Sequence, residues 1–146
     1  MDGNIGTIGS VCAKLLSRPN AMSYSLLIVD DNLSLANLYQ IVFEREGWQV
    51  ERVSSGQQAL DKIDAGVPDV ILLDVMMPGM DGIEVCRRIR SRQPNTPPTI
   101  VVYTANNRPE VRETSLMAGA NIFFSKNVAV FELPARLTTH LQAAEQ

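Results

Sequence analysis

The amino-acid sequence predicts an α/β fold in which helices cover both faces of a parallel sheet. Five short apolar runs are spaced along the chain, at residues 26–29, 50–53, 70–73, 100–103 and 122–124. Most of these runs are continuous and rich in β-branched residues, as strands buried on both faces of a sheet are. Amphipathic segments that begin at helix-capping residues separate the runs. The pattern is therefore a strand–helix unit repeated five times.

Length, composition and charge exclude several classes of protein. The chain has 146 residues, with 13 basic and 16 acidic side chains and a net charge of -3, which indicates one domain without the basic surface of a nucleic-acid binder. Two cysteines are too few for a disulfide framework or a cysteine-based zinc site. No apolar run approaches the roughly 20 residues that span a bilayer, and no signal peptide is evident. We expect a cytoplasmic domain that binds neither nucleic acid directly nor a membrane.

The order of the strands follows from their composition and connections. The second run contains Glu51 and Arg52, which suits a strand at the edge of the sheet. Right-handed crossovers between parallel strands then favour a doubly wound, flavodoxin-like (βα)5 sandwich with strand order 2-1-3-4-5.

Helix starts are predicted from capping residues and from the spacing of apolar side chains. The starting residues are Asn32 or Ser34, Ser55, Asp81 with Ile83 or Glu84 opening the helix, and Asn107 with Pro109. In the first helix the spacing predicts that Leu35, Leu38 and Val42 face the core, and in the fifth that Phe131, Leu133, Leu137 and Leu141 do. Since Pro134 lacks an N–H and is tolerated only in a first turn, we expect the fifth helix to begin near Val130 or Phe131.

Residues 1–23 stand outside the repeating pattern. Apolar residues between 7 and 17 have the spacing of a short helix, which Pro19 interrupts. Met22 stands just before the first strand. Two interpretations stay open: a disordered extension upstream of the true start, or a short accessory helix.

Polar side chains follow four of the five predicted strands. Asp30 and Asp31 follow the first strand, Asp74 the third, Thr104 the fourth and Lys126 the fifth. In an open α/β sheet these strand ends meet at one edge, where ligands bind. Three neighbouring carboxylates need a compensating cation, and an all-oxygen set suits Mg²⁺. A metal, a lysine and a hydroxyl around one carboxylate are typical of phosphoryl transfer.

These motifs resemble the receiver domain of two-component response regulators. The segments that carry the resemblance are Ile28-Val29-Asp30-Asp31-Asn32, Leu72-Leu73-Asp74-Val75-Met76-Met77-Pro78-Gly79-Met80-Asp81-Gly82, Tyr103-Thr104-Ala105 and Ala118-Gly119-Ala120 with Ser125-Lys126. The resemblance extends over residues 25–143, so we expect a receiver domain at 24–146.

The resemblance implies a role for each residue of the site. Asp74 would accept a phosphoryl group from the phosphohistidine of a sensor histidine kinase or phosphotransfer protein. Mg²⁺ would be bound by Asp31 directly, by Asp30 through water, and by Asp74 and the backbone carbonyl of Met76. Lys126 would then contact the phosphoryl oxygens.

A conformational switch is also implied by the resemblance. Thr104 would move to bond one phosphoryl oxygen, and the ring of Phe123 would rotate inward. This would reshape the face formed by helix 4, strand 5 and helix 5, and so control a downstream effector protein or a homodimer. Such a domain is no turnover enzyme; at most it phosphorylates itself from small donors and dephosphorylates itself.

The sequence departs from the family pattern in two places. The family usually has a proline in cis after the lysine, whereas Asn127 follows Lys126 here. A cis bond without proline costs about 3–4 kcal/mol, so of a trans bond and a strained cis bond we expect the trans form. Met76 and Asn106 occupy positions that tune phosphoryl loss in the family. Because Met76 offers no hydrogen-bonding group, we expect a long-lived phosphoaspartate.

Two other functions remain as alternatives. One is a docking module with the receiver fold that works without phosphorylation. The other is a phosphohydrolase with an aspartate nucleophile, although such enzymes commonly place a second aspartate where Met76 stands. Since no output domain follows in this sequence, we expect either a stand-alone receiver or a fragment of a larger regulator.

Overall fold

A computed structural model describes residues 24–144, in which strands and helices alternate. The strands are β1 (Ser25–Val29), β2 (Gln49–Val53), β3 (Val70–Leu73), β4 (Thr99–Thr104) and β5 (Ile122–Ser125). The helices are α1 (Leu33–Arg45), α2 (Gly56–Ala65), α3 (Gly82–Ser91), α4 (Pro109–Met117) and α5 (Leu133–Ala144). A short 3₁₀ helix, Val130–Glu132, leads into α5.

The five strands form one parallel sheet in the order β2-β1-β3-β4-β5. Both the parallel topology and the predicted order are confirmed. Val29 of β1 is level with Leu73 of β3, and Leu73 is level with Val102 of β4. The carboxyl ends of the central strands therefore meet at one edge, which is where the polar residues follow.

Two hydrophobic cores lie on opposite faces of the sheet, because successive side chains of a strand point to opposite faces. Leu26 and Ile28 enter a core beneath α1 and α5, here called the α1/α5 core. Leu27 and Val29 enter a core beneath α2 and α3, the α2/α3 core. All four side chains are buried. This explains why residues 26–29 of β1 are all apolar, rather than apolar at alternate positions.

Side-chain caps start three of the helices, as the sequence predicts. Asn32, Ser55 and Asp81 each accept a hydrogen bond from the backbone N–H three residues later, at 3.1, 3.2 and 2.9 Å. Helix α3 begins at Gly82, so the prediction of a start at Ile83 or Glu84 was wrong by one or two residues. Helix α4 begins at Pro109, whose missing N–H would have no partner in a first turn.

The inward faces of α1 and α5 differ from the prediction. Ala36, Tyr39, Val42 and Phe43 are the buried residues of α1, and Leu38 is exposed. Helix α1 is therefore rotated about its axis relative to the predicted orientation, and this places the larger aromatic rings of Tyr39 and Phe43 in the α1/α5 core.

Phe131 was also expected to lie on the buried face of the fifth helix, but it is 69% exposed. The chain forms a 3₁₀ turn at this point, and regular α-helix starts only at Leu133, so that Pro134 lies in the first turn. The start near Val130 or Phe131 is therefore the start of the 3₁₀ helix rather than of α5.

The two interpretations of residues 1–23 lie outside the described residues. Within residues 24–144, no helix has both the length and the apolar character needed to cross a bilayer.

Candidate functional site

Two adjacent strands bring a pair of carboxylates to the edge of the sheet. Asp30 directly follows β1 and Asp74 directly follows β3. The Asp74 N–H donates to the carbonyl of Val29 at 3.1 Å, which continues the β1–β3 pairing by one residue. The two aspartates therefore lie side by side, and they are only 3% and 9% exposed. Charged groups with so little access to water need a compensating partner.

Lys126 is that partner, and it comes from the loop after β5. Its Nζ lies 3.0 Å from Asp74 Oδ2 and 3.3 Å from Asp30 Oδ2. The remaining carboxylate oxygens accept backbone hydrogen bonds, Asp30 Oδ1 from Asn32 and Asp74 Oδ1 from Met76, each at 2.9 Å. Every oxygen of the pair is thus engaged, which fixes the orientation of both carboxylates.

The charges in this cluster perturb one another. Burial raises the pKa of Asp30, and the negative charge of Asp74 adds to this, while the Asn32 hydrogen bond and Lys126 act in the opposite direction. For Lys126, burial acts in the opposite direction and lowers the pKa. The hydrogen bond and charge of Asp74 and the charge of Asp30 outweigh that effect. The net result is a raised pKa, so Lys126 carries its positive charge at neutral pH.

Thr104 lies at the same edge and is connected to the lysine through the backbone. Its side chain is buried, and its Oγ1 accepts from the N–H of Asn106 at 3.2 Å. Its carbonyl accepts from the N–H of Lys126 at 2.9 Å. The peptide bonds within residues 24–144 are all trans, so the expectation of a trans Lys126–Asn127 bond is confirmed.

The other predicted site residues lie around this centre. Asp31 is exposed at the start of the loop that follows β1. Met76 is 58% exposed beside Asp74. Phe123 is half-buried, and it packs on the α2/α3 core together with Val111 of α4.

The donor set of the cluster fits Mg²⁺ in its chemistry. Mg²⁺ prefers oxygen ligands and needs only one or two carboxylates, because water and phosphate complete its coordination. Asp30 and Asp74 provide two adjacent carboxylates. Among residues 24–144, no group of three or more acidic, histidine or cysteine side chains is arranged to hold a metal ion. The carboxylate of Asp31 therefore does not join those of Asp30 and Asp74 in a three-carboxylate metal site in this conformation.

Two tyrosines were missed by the sequence interpretation. The Lys126 Nζ lies 5.6 Å from the ring centroid of Tyr39 and 5.7 Å from that of Tyr103. Burial raises the pKa of both hydroxyls, so both remain protonated at neutral pH. Tyr103 looked like a strand-interior residue, although its place directly before Thr104 was a usable signal.

Comparison with known proteins shows the family. The profile of the response regulator receiver domain matches residues 26–138. The transcriptional regulatory protein TrcR of Mycobacterium tuberculosis is 38% identical over 122 residues, which are 84% of this chain and 47% of that protein. The alkaline phosphatase synthesis transcriptional regulatory protein PhoP of Bacillus subtilis is 36% identical over 124 residues, 85% of this chain and 51% of that protein. The chain thus spans about half the length of these curated relatives.

Solved structures agree with this assignment. A putative response regulator from Chloroflexus aurantiacus is 34% identical, with a TM-score of 0.75 over 82% of this chain and 98% of that one. A CheY-like receiver domain protein from Methanospirillum hungatei is 26% identical, with a TM-score of 0.77 over 84% of this chain and 96% of that one. With strand ends that carry Asp30, Asp74, Thr104 and Lys126 in the expected order, this chain belongs to the response regulator receiver domain family of two-component systems.

Proposed function

We propose that the chain is a phosphorylation-dependent signalling switch whose acceptor is Asp74. The observation that supports this most is the position of the Lys126 ammonium, 3.0 Å from Asp74 Oδ2 and 3.3 Å from Asp30 Oδ2 at the carboxyl edge of the sheet. A lysine held against a buried carboxylate stands where the charge of a transferred phosphoryl group would develop. The donor would be the phosphohistidine of a sensor histidine kinase or a phosphotransfer protein.

In the proposed reaction Asp74 is the nucleophile. One of its carboxylate oxygens attacks phosphorus, the P–N bond of the phosphohistidine breaks, and the imidazole leaves with the bonding electron pair. Lys126 then pairs with the phosphoryl oxygens instead of the bare carboxylate. The hydroxyl of Thr104, the last residue of β4 at the same edge, donates to one phosphoryl oxygen.

Mg²⁺ is the proposed cofactor. Its protein ligands would be Asp30, Asp31, Asp74 and the backbone carbonyl of Met76, with Asp30 acting through water. When bound, the ion neutralises the charge that accumulates on the phosphoryl oxygens. The paired carboxylates of Asp30 and Asp74 support this assignment, because two buried acids beside one lysine leave a net negative charge.

The proposed output is a change in the surface formed by α4, β5 and α5. Movement of Thr104 toward the phosphoryl group would free space for Phe123, which is half-buried against the α2/α3 core. Rotation of this ring would reshape the surface that an effector protein or a second copy of the chain binds. We place this receiver domain at residues 24–146, with 1–23 as an N-terminal extension.

Phosphorylation from a small donor tests the proposal. Incubation with acetyl phosphate and Mg²⁺ should add one phosphoryl group to the intact protein, as measured by mass spectrometry. Asp74→Asn should abolish this addition, and EDTA should suppress it. Asp61→Asn, an exposed aspartate on α2, is the matched control and should be phosphorylated like the wild type.

A second variant tests the role of Lys126 in this reaction, and the wild type itself separates a switch from a docking module. Lys126→Met should slow phosphorylation by about a hundredfold, the cost of removing one preorganised charge from a transition state. If the wild type takes up no phosphoryl group under any Mg²⁺ concentration while keeping its fold, the phosphorylation proposal is wrong.

A further inference from the structure

The loop that carries Lys126 is a tight turn held by hydrogen bonds. Asn127 has no ring to fix its backbone φ, in contrast to a proline. Instead, the Asn127 N–H donates to Ser125 Oγ at 3.0 Å, and the Val128 N–H donates to the Ser125 carbonyl at 2.9 Å. These bonds set the local shape of the turn. Because both are made to Ser125 of β5, they do not connect the turn to the neighbouring strand β4.

Tyr103 supplies that connection from the neighbouring strand. Its hydroxyl donates to the carbonyl of Val128 at 2.6 Å, across 25 residues of sequence. The bond connects β4 to the far end of the turn, while the Lys126 N–H to Thr104 carbonyl bond connects its near end. Both ends of residues 126–128 are therefore attached to the end of β4.

The same tyrosine also flanks the lysine side chain. The Lys126 Nζ lies 5.7 Å from the Tyr103 ring centroid and 5.6 Å from that of Tyr39. The two rings pack edge to face, with centroids 5.5 Å apart and planes at 62°. Aromatic rings attract an ammonium group within about 6 Å of the centroid. Lysine has a flexible four-carbon stem, so a buried pair of rings restricts where its charge lies.

We propose that Tyr103 is a positioning residue for Lys126. Tyr103 holds the Lys126 ammonium group against Asp74 and Asp30, both through its hydroxyl bond to the Val128 carbonyl and through the contact of its ring with the ammonium group. The consequence for phosphorylation rests on the proposed function of Lys126. Since a misplacement of about 1 Å can cost a hundredfold in rate, release of the turn slows phosphorylation of Asp74 even though Tyr103 never touches the phosphoryl group.

Amide hydrogen exchange tests the positioning directly, without any phosphorylation. In Tyr103→Phe the ring stays and the hydroxyl is lost. Exchange at the N–H groups of Lys126 and Val128 should then accelerate about two- to tenfold, the effect of one net hydrogen bond. The amides of β1 should accelerate less than those of Lys126 and Val128, because a purely global loss of stability would accelerate all of them equally.

Tyr24→Phe is the matched control. Tyr24 lies in the same α1/α5 core, with its ring 5.3 Å from that of Trp48, but it precedes β1 at the opposite end of the strand from the site. This variant should leave exchange at 126–128 unchanged. If Tyr103→Phe leaves exchange at 126–128 unchanged, or raises it equally throughout the sheet, the positioning role is overturned.

A double-mutant cycle tests the route by which Tyr103 acts. Tyr103→Phe should slow phosphorylation from acetyl phosphate about two- to tenfold, and Tyr103→Leu should slow it further because the ring is also lost. In a Lys126→Met background neither change should slow the reaction again, because the group being positioned is absent. Multiplicative effects in that background would overturn the inference.

The two proposals fail in different ways. Absence of phosphorylation in the wild type would refute the proposed function, and the exchange measurement would still decide whether Tyr103 holds the turn. Normal phosphorylation of Tyr103→Phe would refute the inference and leave Asp74 as the acceptor.

Discussion

A Cβ atom at Gly82 would collide with the carbonyl oxygen of Asp74, so the first turn of α3 lies directly against the backbone of the proposed phosphoacceptor. The Gly82 N–H also donates to the carbonyl of Val75 at 3.1 Å. This close approach fixes the loop after β3 and with it the direction of the Asp74 side chain.

Gly82→Ala should therefore destabilise the protein by about 1–3 kcal/mol, the range for overpacking of a tight site. The measurement is urea unfolding followed by circular dichroism. Gly66→Ala is the control, since a Cβ there meets nothing within 4 Å and its φ of 176° is extended backbone that alanine adopts freely. A stable Gly82→Ala protein would mean that α3 moves away without cost.

Arg90 connects α3 to the loops at the other end of the sheet. Its guanidinium donates to the carbonyl oxygens of Gly119 and Pro98 and to Asn121 Oδ1, at 2.9, 3.0 and 2.7 Å. Lysine cannot provide this planar set of donors, so Arg90→Lys should cost about 1–3 kcal/mol of unfolding free energy. Arg88→Lys, at an exposed position of the same helix, should change stability by less than about 0.5 kcal/mol. Equal losses in the two variants would contradict this account of Arg90.

Met76 should lengthen the life of the phosphoaspartate. Its side chain is 58% exposed beside Asp74 and has no strong hydrogen-bonding group with which to orient an attacking water. Met76→Asn should accelerate loss of the phosphoryl group roughly tenfold, which corresponds to about 1.4 kcal/mol or one hydrogen bond to water. The decay of the phosphorylated protein is followed by intact mass. Met117→Asn is the control and should leave the decay rate unchanged, because Met117 is also an exposed methionine but lies on α4. Rapid loss of the phosphoryl group from the wild type would disprove the prediction.

Cys86 should be unreactive at neutral pH. Burial raises the pKa of its thiol to about 11, so about one thiol in a thousand is ionised at pH 8, and only the thiolate reacts. In a Cys12→Ser background, alkylation by iodoacetamide should be far slower than for glutathione, and should rise about tenfold per pH unit up to pH 11 while the fold persists. Unfolding in urea should restore ordinary reactivity. Fast alkylation of the folded protein would show that the α2/α3 core opens readily.

The sequence predicted the framework of this molecule because its signals are local. Asn32, Ser55 and Asp81 cap helices by bonds that span three residues, and these caps are in place. The predictions that were wrong concern which side chains of a helix face the core. The burial of Tyr39 in place of Leu38 depends on which helix face offers the larger apolar area to the α1/α5 core, and spacing alone does not distinguish the two faces.

The candidate site divides in the same way. The sheet order makes Asp30, Asp74, Thr104 and Lys126 neighbours, so their grouping at one edge could be predicted from strand ends alone. The tie from Tyr103 to Val128 could not, because it depends on where a hydroxyl reaches after the turn has folded.

The most direct test of the central claim is the identity of the phosphorylated residue. Borohydride reduces an aspartyl phosphate to homoserine, so protein treated with acetyl phosphate and Mg²⁺ and then reduced should contain homoserine at position 74, as read by peptide mass spectrometry. Omission of Mg²⁺ should leave aspartate there. Homoserine at another position, or none under conditions where the protein is folded, would contradict the assignment of Asp74 as the acceptor.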